Sequence, residues 1–98
     1  MRVIATRIGG DGTMQRRAVD TAHCGDGPRW EDLACRALAE PPPYRPVPGA
    51  PLYQVSLDGD REVLVAEHDL DGPLLDLVTA VLAMGEEVSG RPDTPRFR

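Results

Sequence analysis

The sequence contains few cysteines, which could cross-link a small domain, and few aromatic residues, which could fill its core. It contains only two cysteines, Cys24 and Cys35, too few for the disulfide framework of a small secreted domain. Aromatic residues make up 4% of the chain, so the core must consist mainly of Leu, Val, Ile and Ala. A chain of 98 residues is long enough for one domain, which buries only about two-thirds of the unfolded surface.

The sequence also lacks an excess of basic charge and any long apolar run. The net charge is −5, and residues 51–88 hold nine acidic residues against one basic residue, Arg61. Nucleic-acid binding requires a basic surface, so we expect none here. No segment approaches the roughly 20 apolar residues of a membrane span, and charges interrupt the start of the chain before a signal peptide develops. We therefore expect a cytoplasmic protein that does not enter a membrane.

The first half of the chain has the pattern of two strands and a helix. Residues 2–8 are rich in β-branched side chains and predict a strand. The glycine-rich residues 9–12 suit a hairpin loop, and residues 13–20 predict the returning strand. A helix is expected to begin at Pro28 and to end by Glu40, because the prolines that follow cannot continue it.

The second half has the same order of features. Strands are predicted at 52–57 and 62–68, joined by the turn Asp58-Gly59-Asp60. A helix with a broad Leu and Val face is expected to open at Asp71-Gly72-Pro73. The Asp-Gly turns and the Asp-Gly-Pro helix starts recur at offsets of 47 and 45 residues. This agreement indicates either a repeated ββα unit or a chance similarity of turn chemistry.

Together these elements predict an α+β fold. We expect a two-layer sandwich in the order ββα-ββα, with a four-stranded antiparallel sheet and both helices on one face. Residues 1–88 are expected to form the single domain, and residues 89–98, which have little apolar content, a flexible C-terminal tail.

No set of residues has the spacing of a catalytic or metal site. His23-Cys24, Cys35 and His68 do not form the closely spaced ligand pairs of a zinc site. The run from Glu67 to Asp71 could supply acid–base groups around His68, but nothing in the sequence supplies a shaped pocket, so an acidic strand end and loop is the preferred interpretation. The glycine loop does not precede a helix, and no serine lies in a nucleophile elbow. We therefore predict a protein that is not an enzyme, with no catalytic residues, cofactor or metal.

The segment from residue 41 to 51, called the connector below, is the most unusual part of the sequence. Six of its eleven residues are proline, which makes it stiff and extended, and it displays Tyr44, Arg45 and Val47. A stiff loop loses little entropy on docking, so these three residues are candidate contacts with a partner protein. The connector could instead be a plain spacer between the first helix and third strand. Gly10 and Asp11 in the first hairpin loop form a second candidate surface.

The chain opens with short blocks that resemble the start of the emfourin family of protealysin inhibitors. These blocks are Met1-Arg2-Val3, Arg7-Ile8-Gly9-Gly10, Arg16-Arg17 and Val19-Asp20. By layout the resemblance extends over roughly residues 1–85, through a Leu- and Ala-rich helix, a proline-rich connector and a Leu-rich final helix. Emfourin-like proteins are small cytoplasmic proteins, often encoded beside thermolysin-like metalloproteases, that inhibit those enzymes without a cofactor.

The resemblance implies a proteinaceous inhibitor of a thermolysin-like metalloprotease. On this hypothesis an exposed loop blocks the protease cleft, with Tyr44 or Val47 in the pocket for bulky apolar residues and Arg45 as a flanking contact. The first hairpin loop is the second candidate for the contact. The alternative is a small non-catalytic interaction or adaptor module, which could form a homodimer through an edge strand.

Overall fold

The computed structural model describes residues 1–23 and 25–88, apart from the side chain of His23. Two ββα units follow each other, and short 3-10 turns occur at Thr21–His23 and Glu67–Asp69. In chain order the elements are β1 (Arg2–Ile8), β2 (Met14–Asp20), α1 (Gly27–Ala39), β3 (Leu52–Leu57), β4 (Arg61–Ala66), α2 (Gly72–Met84) and β5 (Glu86–Glu87). The predicted α+β class is confirmed.

Within the described residues the sheet has five strands, so the predicted number of four is wrong. The additional strand, Glu86–Glu87, pairs antiparallel with Arg17 and Ala18 of β2. The N–H of Val88 then donates to the carbonyl of Arg16 at 3.0 Å. Two glutamates have no strand pattern of their own. They are extended because α2 delivers the chain to the unpaired backbone groups at the outer edge of β2.

Three strand boundaries also differ from the prediction, since the fourth strand begins one residue early, at Arg61. The fourth strand ends at Ala66 and not at His68, because the chain turns when the N–H of Leu70 donates to the carbonyl of Glu67 at 3.1 Å. The second strand begins at Met14, one residue late, since Thr13 closes the hairpin loop. The predicted flexible tail, 89–98, lies outside the described residues.

The two ββα units meet along the middle of the sheet. The strand order is β4-β3-β1-β2-β5, and every neighbouring pair is antiparallel. Val3 lies opposite Leu57 and Ala5 opposite Val55 where β1 pairs with β3. Each hairpin therefore extends outward from this central pair.

One face of the sheet carries the core beneath both helices. Leu77 and Val81 of α2 are fully buried, and α2 lies over β1 and β2. Arg61 Nη2 donates to the carbonyl of Leu38 at 3.0 Å, which ties β4 to the last turn of α1. The remaining core residues share this interior. They include Val3, Ala5, Val19, Trp30, Ala34, Ala37, Leu38, Tyr53, Val55, Leu57, Val65, Leu74 and Val78.

The other face of the sheet has no described helix upon it. Half-buried apolar side chains lie there, among them Ile4, Ile8, Leu52 and Leu64. Neither helix in the described part of the chain combines the length and apolar character needed to cross a bilayer.

Candidate protein-binding surface

The connector has no regular secondary structure but contains a defined turn. The N–H of Ala50 donates to the carbonyl of Val47 at 3.0 Å, and Gly49 has a φ of 83°. Pro48 supplies the fixed φ that the first central position of such a turn prefers, and the positive φ at the second favours glycine, as in a type II turn. Val47 therefore lies at the start of a fixed bend.

The first hairpin loop is also closed by its own hydrogen bonds. The N–H of Gly9 donates to the carbonyl of Thr13 at 2.8 Å, and that of Gly12 donates to the carbonyl of Gly9 at 3.0 Å. Asp11 Oδ1 accepts from the backbone N–H of Thr13 at 3.1 Å and from its hydroxyl at 2.7 Å. These bonds favour the ionised carboxylate, so the pKa of Asp11 lies below its usual value.

The connector and the first hairpin loop meet at two glycines. A Cβ atom placed on Gly10 would overlap the carbonyl oxygen of Gly49, so the two backbones approach more closely than any other residue type would allow at position 10. Beside this contact lies a cleft of about 300 Å³. It is lined by Ile8, Gly9, Gly10, Pro46, Val47, Pro48, Gly49, Ala50 and Leu52. We call the connector, the first hairpin loop and this cleft together the joined surface.

Two apolar side chains of the joined surface project into solvent. Tyr44 is 45% exposed and Val47 is 46% exposed, although both are large and apolar. Exposed apolar side chains on a fixed backbone are typical of contacts with another protein, where aromatic residues are enriched. The joined surface can therefore present apolar groups without first rearranging.

An ion pair fixes the middle of the connector. Arg45 Nε donates to Asp69 Oδ2 at 3.2 Å, and its Nη2 donates to Oδ1 of the same carboxylate. The Arg45 guanidinium lowers the pKa of Asp69, and the same hydrogen bonds raise the pKa of Arg45. Only 9% of the Asp69 side chain is exposed, so this carboxylate is largely shielded from solvent and anchors the connector through Arg45.

A second polar chain supports the turn that carries Asp69. Arg7 Nε donates to the hydroxyl of Tyr53 at 3.2 Å, and that hydroxyl donates to Glu67 Oε2 at 3.5 Å. Arg7 belongs to β1, Tyr53 to β3 and Glu67 to the 3-10 turn after β4. These two hydrogen bonds link the two central strands to the 3-10 turn whose Asp69 pairs with Arg45 of the connector.

The five predicted contact residues lie in the two loops that meet at Gly10 and Gly49, but they have different tasks. Tyr44 and Val47 present their side chains to solvent, whereas the guanidinium of Arg45 is already occupied by Asp69. Gly10 acts through its lack of a side chain, and the Asp11 carboxylate is occupied by Thr13 within its own loop.

Sequence reasoning missed four residues that complete the joined surface. Gly49 provides the backbone contact, Ile8 and Leu52 line the cleft, and Asp69 anchors Arg45. The Pro48-Gly49 pair is a recognisable type II turn signal and could have located the bend. No local pattern links Arg45 to Asp69, which are 24 residues apart in the chain.

Within the described residues, those weighed for metal binding are not gathered into a metal-binding cluster. His68 Nε2 lies 3.2 Å from Asp69 Oδ2, but that carboxylate already holds Arg45. Among residues 1–23 and 25–88, no cluster of three or more His, Cys, Asp or Glu could hold a metal ion. Cys24 and the side chain of His23 lie outside the described part of the chain.

A wider groove of about 570 Å³ runs along the outer side of the two helices. Its rim carries both signs of charge, and Arg36 Nε there donates to Asp32 Oδ2 at 3.0 Å. Met84, at the end of α2, is 68% exposed at this groove. The lining residues are Asp26, Pro28, Arg29, Trp30, Asp32, Leu33, Arg36, Ala80 and Met84.

Comparisons of the chain with models of protein families, with curated proteins and with solved structures found no match. What the joined surface binds is therefore inferred from its shape, its exposed side chains and its chemistry.

Proposed function

We propose that this protein inhibits a thermolysin-like metalloprotease by docking the joined surface into the cleft of the enzyme. The observation that supports this proposal most directly is the contact between Gly10 and Gly49, which brings two loops together while Tyr44 and Val47 remain exposed. The resemblance of the first twenty residues to the emfourin family supports the class of partner.

The connector has the properties of a segment that occupies a protease cleft without being processed. Pro46 and Pro48 flank Val47 and lack the N–H groups that a substrate uses to pair with the edge of a cleft. The turn from Val47 to Ala50 and the Arg45–Asp69 pair hold the segment in one shape. A bound segment that cannot straighten resists the extended geometry in which the scissile carbonyl is attacked, because reaction requires a near-attack arrangement.

An inhibition assay tests the proposal. Thermolysin-like proteases are titrated with the purified protein while cleavage of a peptide substrate is followed. We expect progressive loss of activity and, by mass spectrometry, an uncut connector. Full activity of several such proteases at about 10 μM protein would overturn the inhibitor function.

A matched set of variants tests the surface. Tyr44→Ala combined with Val47→Ala should weaken inhibition at least roughly tenfold, because truncating central apolar contacts costs more than 1 kcal/mol of binding free energy. The control is Leu75→Ala on α2, whose side chain is 40% exposed but lies outside the joined surface. If the protein with Tyr44→Ala and Val47→Ala inhibited as strongly as the Leu75→Ala control, the contact would lie elsewhere.

A further inference from the structure

The first seven residues of the connector, called the proline segment below, have the backbone constraints of a polyproline II helix. Proline fixes φ at about −65°, and the residue before a proline is restricted to extended backbone. Within residues 41–47, four residues are proline and four precede a proline. In the described part of the chain, residues 41–46 make no backbone-to-backbone hydrogen bond, and polyproline II has none within itself.

The contacts of the proline segment repeat every three residues, which is the period of polyproline II. Pro42 is the only half-buried residue among residues 41–49, and three residues later the guanidinium of Arg45 turns back to the largely buried carboxylate of Asp69. Pro42 and Arg45 therefore form an inner edge. The other residues of the segment are all exposed and form two outer edges. The first consists of Pro41, Tyr44 and Val47, and the second of Pro43 and Pro46.

We propose that the two outer edges bind a second protein domain through a groove lined with aromatic rings. Such grooves accept polyproline II segments in which prolines three residues apart lie along one edge of the helix. Pro43 and Pro46 have this spacing, and Tyr44 lies beside them on the other outer edge. The inference uses part of the joined surface but does not rest on inhibition of a protease, because a groove for polyproline and a protease cleft belong to different partners.

The ion pair of the connector determines the chemistry of this partner. Two hydrogen bonds hold the Arg45 guanidinium on Asp69, so the charge of Arg45 is neutralised within the chain. The five residues of the outer edges carry no charge. A complementary groove is therefore apolar and aromatic, and it does not need an acidic residue to bind this segment.

The proline segment is held in place at both ends. Helix α1 ends at Ala39, directly before it, and at the other end the N–H of Ala50 donates to the carbonyl of Val47 at 3.0 Å. A segment that is already extended and fixed loses little conformational entropy when it docks. Because few side chains make the contact, we expect a moderate affinity, with a dissociation constant of about 10–500 μM.

NMR titration with probe domains tests the proposal. Several isotope-labelled WW domains, whose grooves are lined with aromatic rings, are titrated with the unlabelled protein up to about 1 mM. We expect the amide and tryptophan indole signals of the groove to shift progressively as the protein is added. The absence of any shift in all of these domains would overturn the proposal, as would shifts confined to residues outside the groove.

Alanine substitutions test which edge makes the contact. Pro43→Ala and Pro46→Ala should each weaken binding roughly tenfold, because each removes an apolar group from the centre of the interface. Pro42→Ala on the inner edge removes an equal ring away from the groove and should weaken binding less than either. The control is Pro73→Ala, an exposed proline at the start of α2, which should bind as the original protein does. Equal losses for Pro42→Ala and Pro43→Ala would overturn the assignment of the edges.

Tyr44 tests whether the first outer edge enters the groove. Tyr44→Ala should weaken binding roughly tenfold, whereas Tyr44→Phe keeps the ring and should retain most of the affinity. Chemical denaturation checks that both variants are folded, as expected for a side chain that is 45% exposed. Unchanged binding by the Tyr44→Ala variant would overturn the contact through this edge.

The outcomes separate this inference from the inhibitor function. The titration contains no protease, and the inhibition assay contains no WW domain. A protein that inhibits proteases but shifts the signals of no WW domain would overturn the aromatic-groove partner alone. A protein that binds the groove but inhibits no protease would support this partner and overturn the inhibitor function.

Discussion

Gly10 and Gly49 contact each other backbone to backbone, and a Cβ atom at residue 10 would overlap the carbonyl oxygen of residue 49. The contact joins a hairpin loop near the start of the chain to a bend 39 residues later. Both loops are stiffened by their own bonds, so neither can yield easily to a larger side chain. The shape of the joined surface therefore depends on this pair.

Gly10→Ala tests that dependence. The added methyl group should push the connector away, and overpacking of this kind costs about 1–3 kcal/mol of the free energy of unfolding. Denaturant unfolding measures the loss. Gly25→Ala is the matched control, since a Cβ there meets nothing within 4 Å, and its effect should stay within about 0.5 kcal/mol. Equal stability of the two variants would contradict the close approach.

Tyr44 and Val47 are predicted to matter little for folding. Each is nearly half exposed, so Tyr44→Ala and Val47→Ala remove little buried area, and each should change the free energy of unfolding by less than about 1 kcal/mol. Leu77→Ala on α2 provides the contrast, because Leu77 is fully buried and its truncation should cost about 2–5 kcal/mol. Chemical denaturation of the three variants checks the order. A large loss on changing Tyr44 would show that it packs inward.

The pKa of Asp69 should report the anchoring of the connector. Arg45 lowers this pKa below its ordinary value of 3.8, so Arg45→Gln should raise it back towards that value. A carboxylate whose pKa is lowered on folding stabilises the folded state above its unfolded pKa, and this contribution disappears as the pH falls through the lowered value. The stabilisation by this pair should thus be complete at neutral pH and decline only below about pH 4.

Carboxyl NMR titration measures the pKa of Asp69 in both proteins. Arg36→Gln is the control, since Arg36 pairs with Asp32 on the outside of α1 and should leave the titration of Asp69 unchanged. A pKa of Asp69 that is identical with and without Arg45 would contradict the ion pair.

The sequence patterns predict those elements whose residues carry local signals. Alternating Tyr53, Val55 and Leu57 in β3 predict a strand with one buried face, and that face is buried. Gly-Pro pairs mark the starts of both helices, because proline suits a first helical turn. These features depend on neighbours in the chain, so they can be recognised without knowing the fold.

Features that depend on distant partners could not be predicted in the same way. Glu86–Glu87 becomes a strand only because α2 ends beside the edge of β2. Arg45 contacts Asp69 only when the fold brings the connector beside the 3-10 turn that follows β4, and Gly10 contacts Gly49 only when the connector lies beside the first hairpin loop. The candidate residues of the joined surface were therefore identifiable singly, but their contacts with one another were not.

Gly85 controls whether β5 joins the sheet. A Cβ atom at residue 85 would lie 2.6 Å from the carbonyl oxygen of Val81 and 2.8 Å from that of Ala18, closer than real Cβ contacts allow. Gly85→Ala should therefore move the chain away from β2. Two hydrogen bonds depend on the present position of this segment. Arg17 Nη1 donates to the carbonyl of Gly85 at 3.3 Å, and the N–H of Val88 donates to the carbonyl of Arg16 at 3.0 Å.

Hydrogen exchange separates this local effect from general unfolding. In the Gly85→Ala variant the amide of Val88 should exchange faster, because its bond to the edge of β2 is lost. The amides of β1 and β3 should keep their protection, since the fully buried core residues beneath α2 are unaffected. Ala83→Ser, an exposed change two residues earlier, should alter neither set. Unchanged exchange at Val88 in the Gly85→Ala variant would show that β5 tolerates a side chain at this position.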